Sequence, residues 1–313
     1  MYRKYILTFS NLFYHIPCTP MKKKTVVITG GTDGIGAATA LEYCRRGANV
    51  IIIGRSHVKA DEIVRRANKF SSAGTIEVLI SDFSIMKNVK NTVQRLREKV
   101  SSIDVIIHAV GILISKTEHT TEGIEKDFAV SYLSRFVFME EASAHNLLTE
   151  QTIMLNIAAS APKIPRYAQM EFHDIAEVRS RVGMKSHGQA QLANDIFTGL
   201  AAHRYGITTI GYGPGSVNTN IRRELPKILV ALIQPFFAFS TREPFEVARQ
   251  IVGIVEDKSR LMVGQVHYCN KNGSFPADPF ITDTQRKQAL LKTSLTLVHD
   301  ALSGSTHSAI ELH

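Results

Sequence analysis

The run VVITGGTDGIGAATA, beginning at Val26, constrains the fold more than any other stretch of the chain. KTVVITG reads as a short apolar strand that runs into glycines at 30, 34 and 36. IGAATALEYCRRGANV then carries a helix back to a second apolar run, NVIIIGR. Glycines at such a turn let the backbone bend tightly and approach a pyrophosphate, and the helix that follows points its free N–H groups at the anion. The spacing of Gly30, Gly34 and Gly36 departs from the strict GxGxxG pattern, but the physics is shared.

The alternation continues downstream. A helical stretch at 59–69 precedes IEVLISD, and another at 86–99 precedes IDVIIHAVG. A helical segment from Thr121 to Leu148 leads to TIMLNIAAS, and one from Gln189 to Arg204 leads to GITTIGYGPGS. Apolar strands separated by longer helical patterns predict an α/β chain: a doubly wound, mostly parallel sheet of Rossmann type, with ligands gathered at the carboxyl ends of the strands. No Pro/Gly/Ser-rich linker divides the 313 residues, so residues 21–313 are expected to form one domain behind an N-terminal extension, 1–20.

Composition narrows the partners. The net charge of +9 favours anions, but Lys and Arg are dispersed and Trp is absent, which argues against nucleic acid. Cys18, Cys44 and Cys269 form no CxxC pair, and no histidine spacing of the HExxH kind occurs, so neither a metal site nor a disulfide scaffold is expected. No run approaches the roughly 20 apolar residues of a transmembrane helix. The extension MYRKYILTFSNLFYHIPCTP lacks acidic residues and carries Arg3 and Lys4. It reads either as a cleaved organellar peptide or as a packed or interfacial segment, which leaves cytoplasm and mitochondrion both open.

Within the expected socket, Thr29, Gly30, Gly34, Ile35 and Gly36 form the turn. Arg55, just beyond the second strand, suits the 2′-phosphate of NADP better than the free ribose of NAD, with a solvated strand-end charge as the alternative. Asp82 closes the third strand and could accept from an adenine amino group or cap a helix. Pro214 and Gly215 set a stiff turn beside the nicotinamide position, and Thr219 could donate to the carboxamide or pyrophosphate or stabilise its own turn. LPKILVALIQPFFAFS, with Pro235, Phe236 and Phe237, reads as a lid against an apolar carbonyl or alcohol ligand, or as a surface for a protein partner.

The motifs TGGTDGIG, SDFS, DVIIHAVGI, LNIAAS, EFHDIA, HGQAQLANDIF and YGPGSVNTNI together resemble the short-chain dehydrogenase/reductase family, and more narrowly its retinol-dehydrogenase-like branch. The resemblance runs from about residue 24 to residue 270. It implies a nicotinamide dinucleotide and a tetrad: a tyrosine exchanging a proton with the substrate oxygen, a lysine one turn later lowering the tyrosine pKa, a carbonyl-polarising serine, and an asparagine holding a relay water. Here the flanking motifs carry the tyrosine position onto His187, the lysine onto Gln191, the serine onto Ala159 and the asparagine onto Ser131. The usual NNAG reads HAVG, with His108 and Ala109 in place of the asparagines. None of the nine tyrosines has a lysine four residues later.

His187 is the natural substitute acid or base, because imidazole titrates near neutrality. Ser160 and Ser186 neighbour the lost positions, but a one-residue shift turns a side chain by about 180° on a strand or about 100° on a helix. The resulting expectation is an NAD(P)-binding dehydrogenase/reductase-like protein with little or no ordinary carbonyl–alcohol activity. The alternatives are an NADP-dependent ketone or alcohol oxidoreductase with a different proton relay, and a non-enzymatic scaffold or regulatory subunit.

Overall fold

The computed structural model describes residues 24–303 apart from 71–73, 115, 165–171, 173–183, 220–240 and 258. The N-terminal extension, Cys18, His173 and Asp174 of the EFHDIA motif, and the apolar run from 225 to 240 lie outside the described residues.

The chain alternates strand and helix as the apolar periodicity predicts. β1 (Thr25–Thr29), α1 (Gly34–Arg45), β2 (Asn49–Gly54), α2 (His57–Ala67), β3 (Thr75–Ile80), α3 (Met86–Arg97) and β4 (Val105–His108) make the first half. The second half begins with α4 (Lys126–Phe128), which passes through a π-helical turn (Ala129–Leu133) into α5 (Ser134–Ala144). β5 (Ile153–Ile157), α6 (Met184–Tyr205), β6 (Thr208–Gly213) and α7 (Pro244–Glu256) follow. β7 (Val266–Asn270), β8 (Gly273–Phe275), α8 (Pro279–Thr282) and α9 (Thr284–Ser303) close the described chain.

The eight strands form one sheet in the order β3-β2-β1-β4-β5-β6-β7-β8, parallel throughout except for the antiparallel β8. The order reverses between β1 and β4, so a crevice opens at their carboxyl ends where α/β sheets collect ligands.

Both faces of the sheet are covered, which is why the central strands are continuous apolar runs. Val27 and Ile106 pack with Phe128, Phe136 and Phe197 on the face of α3, α5 and α6. Their strand neighbours Val26, Ile28, Val105 and Ile107 pack with Leu41, Val247 and Ile251 on the face of α1 and α7. The period of two sorts alternate residues to opposite cores, and each fully buried aliphatic side chain stabilises the fold by about 1.5–3 kcal/mol.

Two local expectations change. The helix expected from Thr121 begins only at Lys126: Gly123 sits at φ 73°, and the Glu125 carboxylate caps the turn by accepting from Phe128 N at 2.8 Å. Asp82 does not cap α3. Ile85 occupies the N-cap, and Glu122 supplies the carboxylate from across the fold, accepting from Met86 N at 2.7 Å and Lys87 N at 3.3 Å.

Candidate active site

The glycine turn joins β1 to α1 and is shaped by backbone contact. Gly30 has φ 71°, and a Cβ there would lie 2.6 Å from Val110 N. A Cβ on Gly36 would lie 2.3 Å from the Gly30 carbonyl oxygen, so only hydrogen fits. Gly34, at φ 51°, starts α1, and a Cβ there would come within 3.1 Å of Thr219 Cγ2. Thr219 therefore lies against the turn, brought there by the segment after β6 in which Pro214 is half-buried and Gly215 takes φ 72°. Ile35 packs into the core beneath. This cradle suits a pyrophosphate: its wall is main chain, and α1 presents its N-terminal end.

Arg55 and Asp82 are both exposed on the carboxyl edge of the sheet, one residue beyond β2 and two beyond β3. The Asp82 carboxylate accepts from Ser84 N at 2.9 Å. A second cation stands near the turn. Lys59 pairs with Asp33, whose carboxylate also caps α1 by accepting from Gly34 N at 2.8 Å. Sequence reading passed over Lys59 because its partner lies 26 residues away on another element.

His108, at the end of β4, is fully buried. Its Nδ1 lies 3.3 Å from the Thr29 hydroxyl, and its ring meets Phe138 edge-on at 5.5 Å. Burial, reinforced by the Arg135 charge, holds the imidazole well below its ordinary pKa and hence neutral.

On the other side of the crevice, the π-helical turn and α6 bring Ser131 and His187 together around Asp127. His187 Nδ1 lies 3.0 Å from Asp127 Oδ2 and 3.3 Å from Oδ1. Ser131 Oγ donates to Asp127 Oδ1 at 2.7 Å and accepts from Ile112 N at 3.1 Å. Asn194, on the next turns of α6, donates from Nδ2 to the Ser131 carbonyl at 2.8 Å. Gln191 is half-buried one turn after His187. Asp127 is fully buried, and sequence reading missed it. Its only local signal is that the i to i+4 spacing sets it beside Ser131 on one helical face.

Ala159 follows β5 and has no group to donate. Ser160, its neighbour, is turned inward: its backbone takes φ 36°, its N donates to both Asp195 oxygens at 3.1 and 3.2 Å, and its Oγ donates to Oδ1 at 3.0 Å. Burial pushes the Asp195 carboxyl up to about 7, against the opposing pull of the Ser160 hydrogen bonds and the Arg135 charge. Arg135, itself pushed down to about 9 by burial, ties the strand ends together through Asn156 Oδ1 and the carbonyls of Ile157 and Val110. Ser186 donates to Glu125, whose carboxyl burial raises. Both neighbouring serines are thus engaged with buried carboxylates.

The model of the short chain dehydrogenase family matches residues 24–171, which span the glycine turn, all strands from β1 to β5 and the His187 partner Asp127. Over these residues the chain is similar to the short-chain dehydrogenases. Among curated members, mouse retinol dehydrogenase 12 is 28% identical over 219 residues, covering 68% of each chain. Human polyprenol dehydrogenase is 25% identical over 215 residues, covering 66% of this chain and 64% of that one. A short-chain dehydrogenase/reductase from Serratia marcescens superposes with a TM-score of 0.62 at 18% identity, covering 81% of this chain and 98% of that one. Similarity to the retinol dehydrogenases is thus distant, and the family carries the capacity to bind a nicotinamide dinucleotide in an oxidoreductase fold. Among the described residues no helix is long and apolar enough to cross a membrane.

Proposed function

We propose that this protein binds a nicotinamide dinucleotide, NADP(H) in preference to NAD(H), and lacks the family's tyrosine-driven interconversion of ordinary ketones and alcohols. One contrast carries the reading: the glycine cradle admits no side chain larger than hydrogen at Gly30 and Gly36, while His187, Gln191 and Ala159 stand where the resemblance calls for tyrosine, lysine and serine. Thr29, Gly30, Gly34, Ile35, Gly36 and Thr219 would hold the pyrophosphate side, Pro214 and Gly215 would border the nicotinamide, and Asp82 would meet the adenine. Arg55 would pair with the 2′-phosphate, and its exposed position on the carboxyl edge supports that role. When bound, the dinucleotide supplies or accepts hydride.

The test is calorimetric titration with NADPH and NADH, followed by turnover assays at saturating NADPH over small ketones, aromatic carbonyls, steroids and retinal-like aldehydes. The expected result is saturable binding, tighter for NADPH, with negligible turnover of unactivated carbonyls. Robust turnover absent from heat-inactivated protein overturns the reading, as does failure to bind either dinucleotide.

A further inference from the structure

We propose that His187 and Asp127 form the proton-transfer pair of this crevice, an imidazole oriented by a buried carboxylate, and that the pair serves electron-poor carbonyls such as quinones and 1,2-diones. The inference rests on the dinucleotide reading for its source of hydride.

The geometry assigns the two imidazole nitrogens different tasks. Nδ1 is engaged by Asp127 at 3.0 Å, and that carboxylate is fixed in turn by the Ser131 hydroxyl at 2.7 Å. A carboxylate on Nδ1 selects the tautomer whose proton lies between them and leaves Nε2 to exchange protons elsewhere. The Asp127 side chain is fully buried, and the His187 side chain is 18% exposed, so the pair points from the interior toward solvent. A buried carboxylate without a partner is costly, which makes His187 part of what keeps Asp127 tolerable inside the fold.

The loss of lysine at position 191 follows from the same logic. In the resembled arrangement, a cation one turn along the helix brings a phenol, ordinarily near pKa 10, down to working pH. An imidazole already titrates near neutrality and needs no such cation. Gln191 is therefore compatible with a working His187, although it would not be with a working tyrosine.

The substrate class follows from what the crevice lacks. Ala159 has no hydroxyl, Ser160 Oγ donates to Asp195, and Ser131 Oγ donates to Asp127. With none of these three described positions offering a hydroxyl to polarise the carbonyl, the carbon must already be electron-poor. In reduction that carbon receives hydride from the reduced dinucleotide. As the carbon–oxygen π pair moves onto oxygen, the oxygen takes the Nε2 proton of the imidazolium, and neutral His187 recovers a proton from solvent.

Two experiments decide the matter. In the protein without dinucleotide, proton and nitrogen NMR should detect a low-field Nδ1–H resonance. That resonance should be absent from His187→Gln and displaced in Asp127→Asn. The same resonance in His187→Gln, or an unmoved one in a folded Asp127→Asn, overturns the pair. If Asp127→Asn does not fold, absence of the low-field signal in the unaltered protein, or its persistence in His187→Gln, serves as the overturning result.

With NADPH, butane-2,3-dione should be reduced and butan-2-one should not. His187→Ala should lower dione turnover by about 100-fold or more while retaining NADPH binding, and added imidazole should restore part of the rate. Equal turnover of dione and ketone, no dione turnover by NADPH-bound protein, or unchanged kinetics in His187→Ala overturns the proposal. Failure to bind NADPH instead removes the dinucleotide reading, and the NMR result alone then decides whether the pair exists.

Discussion

The two walls of the crevice are built from different materials. The wall between β1 and α1 is main chain and glycine, while the wall between the π-helical turn and α6 is a set of interlocked side chains. A backbone cradle is specified by the absence of side chains, so Gly30 and Gly36 are held by sterics whatever chemistry follows. A side-chain cluster is specified by mutual hydrogen bonds, so one change invites others. Ser131, His187 and Asp127 satisfy one another here, and Asp195 has drawn Ser160 inward.

The largest effect should come from striking the glycine wall. Gly36→Ala places a methyl group 2.3 Å from the Gly30 carbonyl oxygen. We expect NADPH binding to fall by at least about 100-fold, the result of losing about 2.7 kcal/mol of affinity. Isothermal titration, with circular dichroism to verify folding, checks this. Normal affinity would break the contrast between the two walls.

A smaller effect is expected at Arg55, which is exposed and sits at the rim of that wall. Arg55→Asp should reduce NADPH affinity roughly 10-fold, the scale of one charge-assisted contact, and leave NADH affinity the same or improved. Equal affinities for the two dinucleotides in the unaltered protein would remove the phosphate assignment without touching the cradle.

The smallest effect concerns the side-chain wall and pH. The folded protein holds the Asp195 proton up to about 7, whereas an unfolded chain releases it in the ordinary carboxylate range near 3.8. Between those values the folded state binds more protons, so this group's contribution to stability declines as pH rises through the window and stays low above it. Asp195→Asn should flatten that decline. Thermal melts between pH 5 and pH 8 should separate the two proteins by on the order of 2–4 °C per kcal/mol of changed stability. Parallel curves would show that Asp195 is ionised throughout.

The contrast also governs what the sequence made legible. The order of strands and helices, the parallel sheet and the glycine turn follow from local periodicity, and the structure bears out that fold class. Element ends moved where distant residues act: Glu122 reaches across to α3, and Glu125 caps the turn that starts α4. The placing of His187, Gln191, Ala159 and Ser131 at tetrad positions rests on the resemblance of their flanking motifs alone. Asp127 was not, because its partner lies 60 residues away and the π-helical turn that positions Ser131 has no plain sequence mark. Asp195 was invisible for the same reason, since only the folded chain shows that Ser160 has turned toward it.

The most direct test of the central claim compares the unaltered protein with a variant carrying Ser131→Asn, Ala159→Ser, His187→Tyr and Gln191→Lys. Both are titrated with NADPH and then assayed, at saturation, for reduction of an unactivated ketone. The account predicts similar NADPH affinity for the two proteins and ketone turnover at least about 100-fold higher in the rebuilt one, the usual contribution of a positioned acid–base group. Equal or greater ketone turnover by the unaltered protein, or no NADPH binding by either, would contradict it.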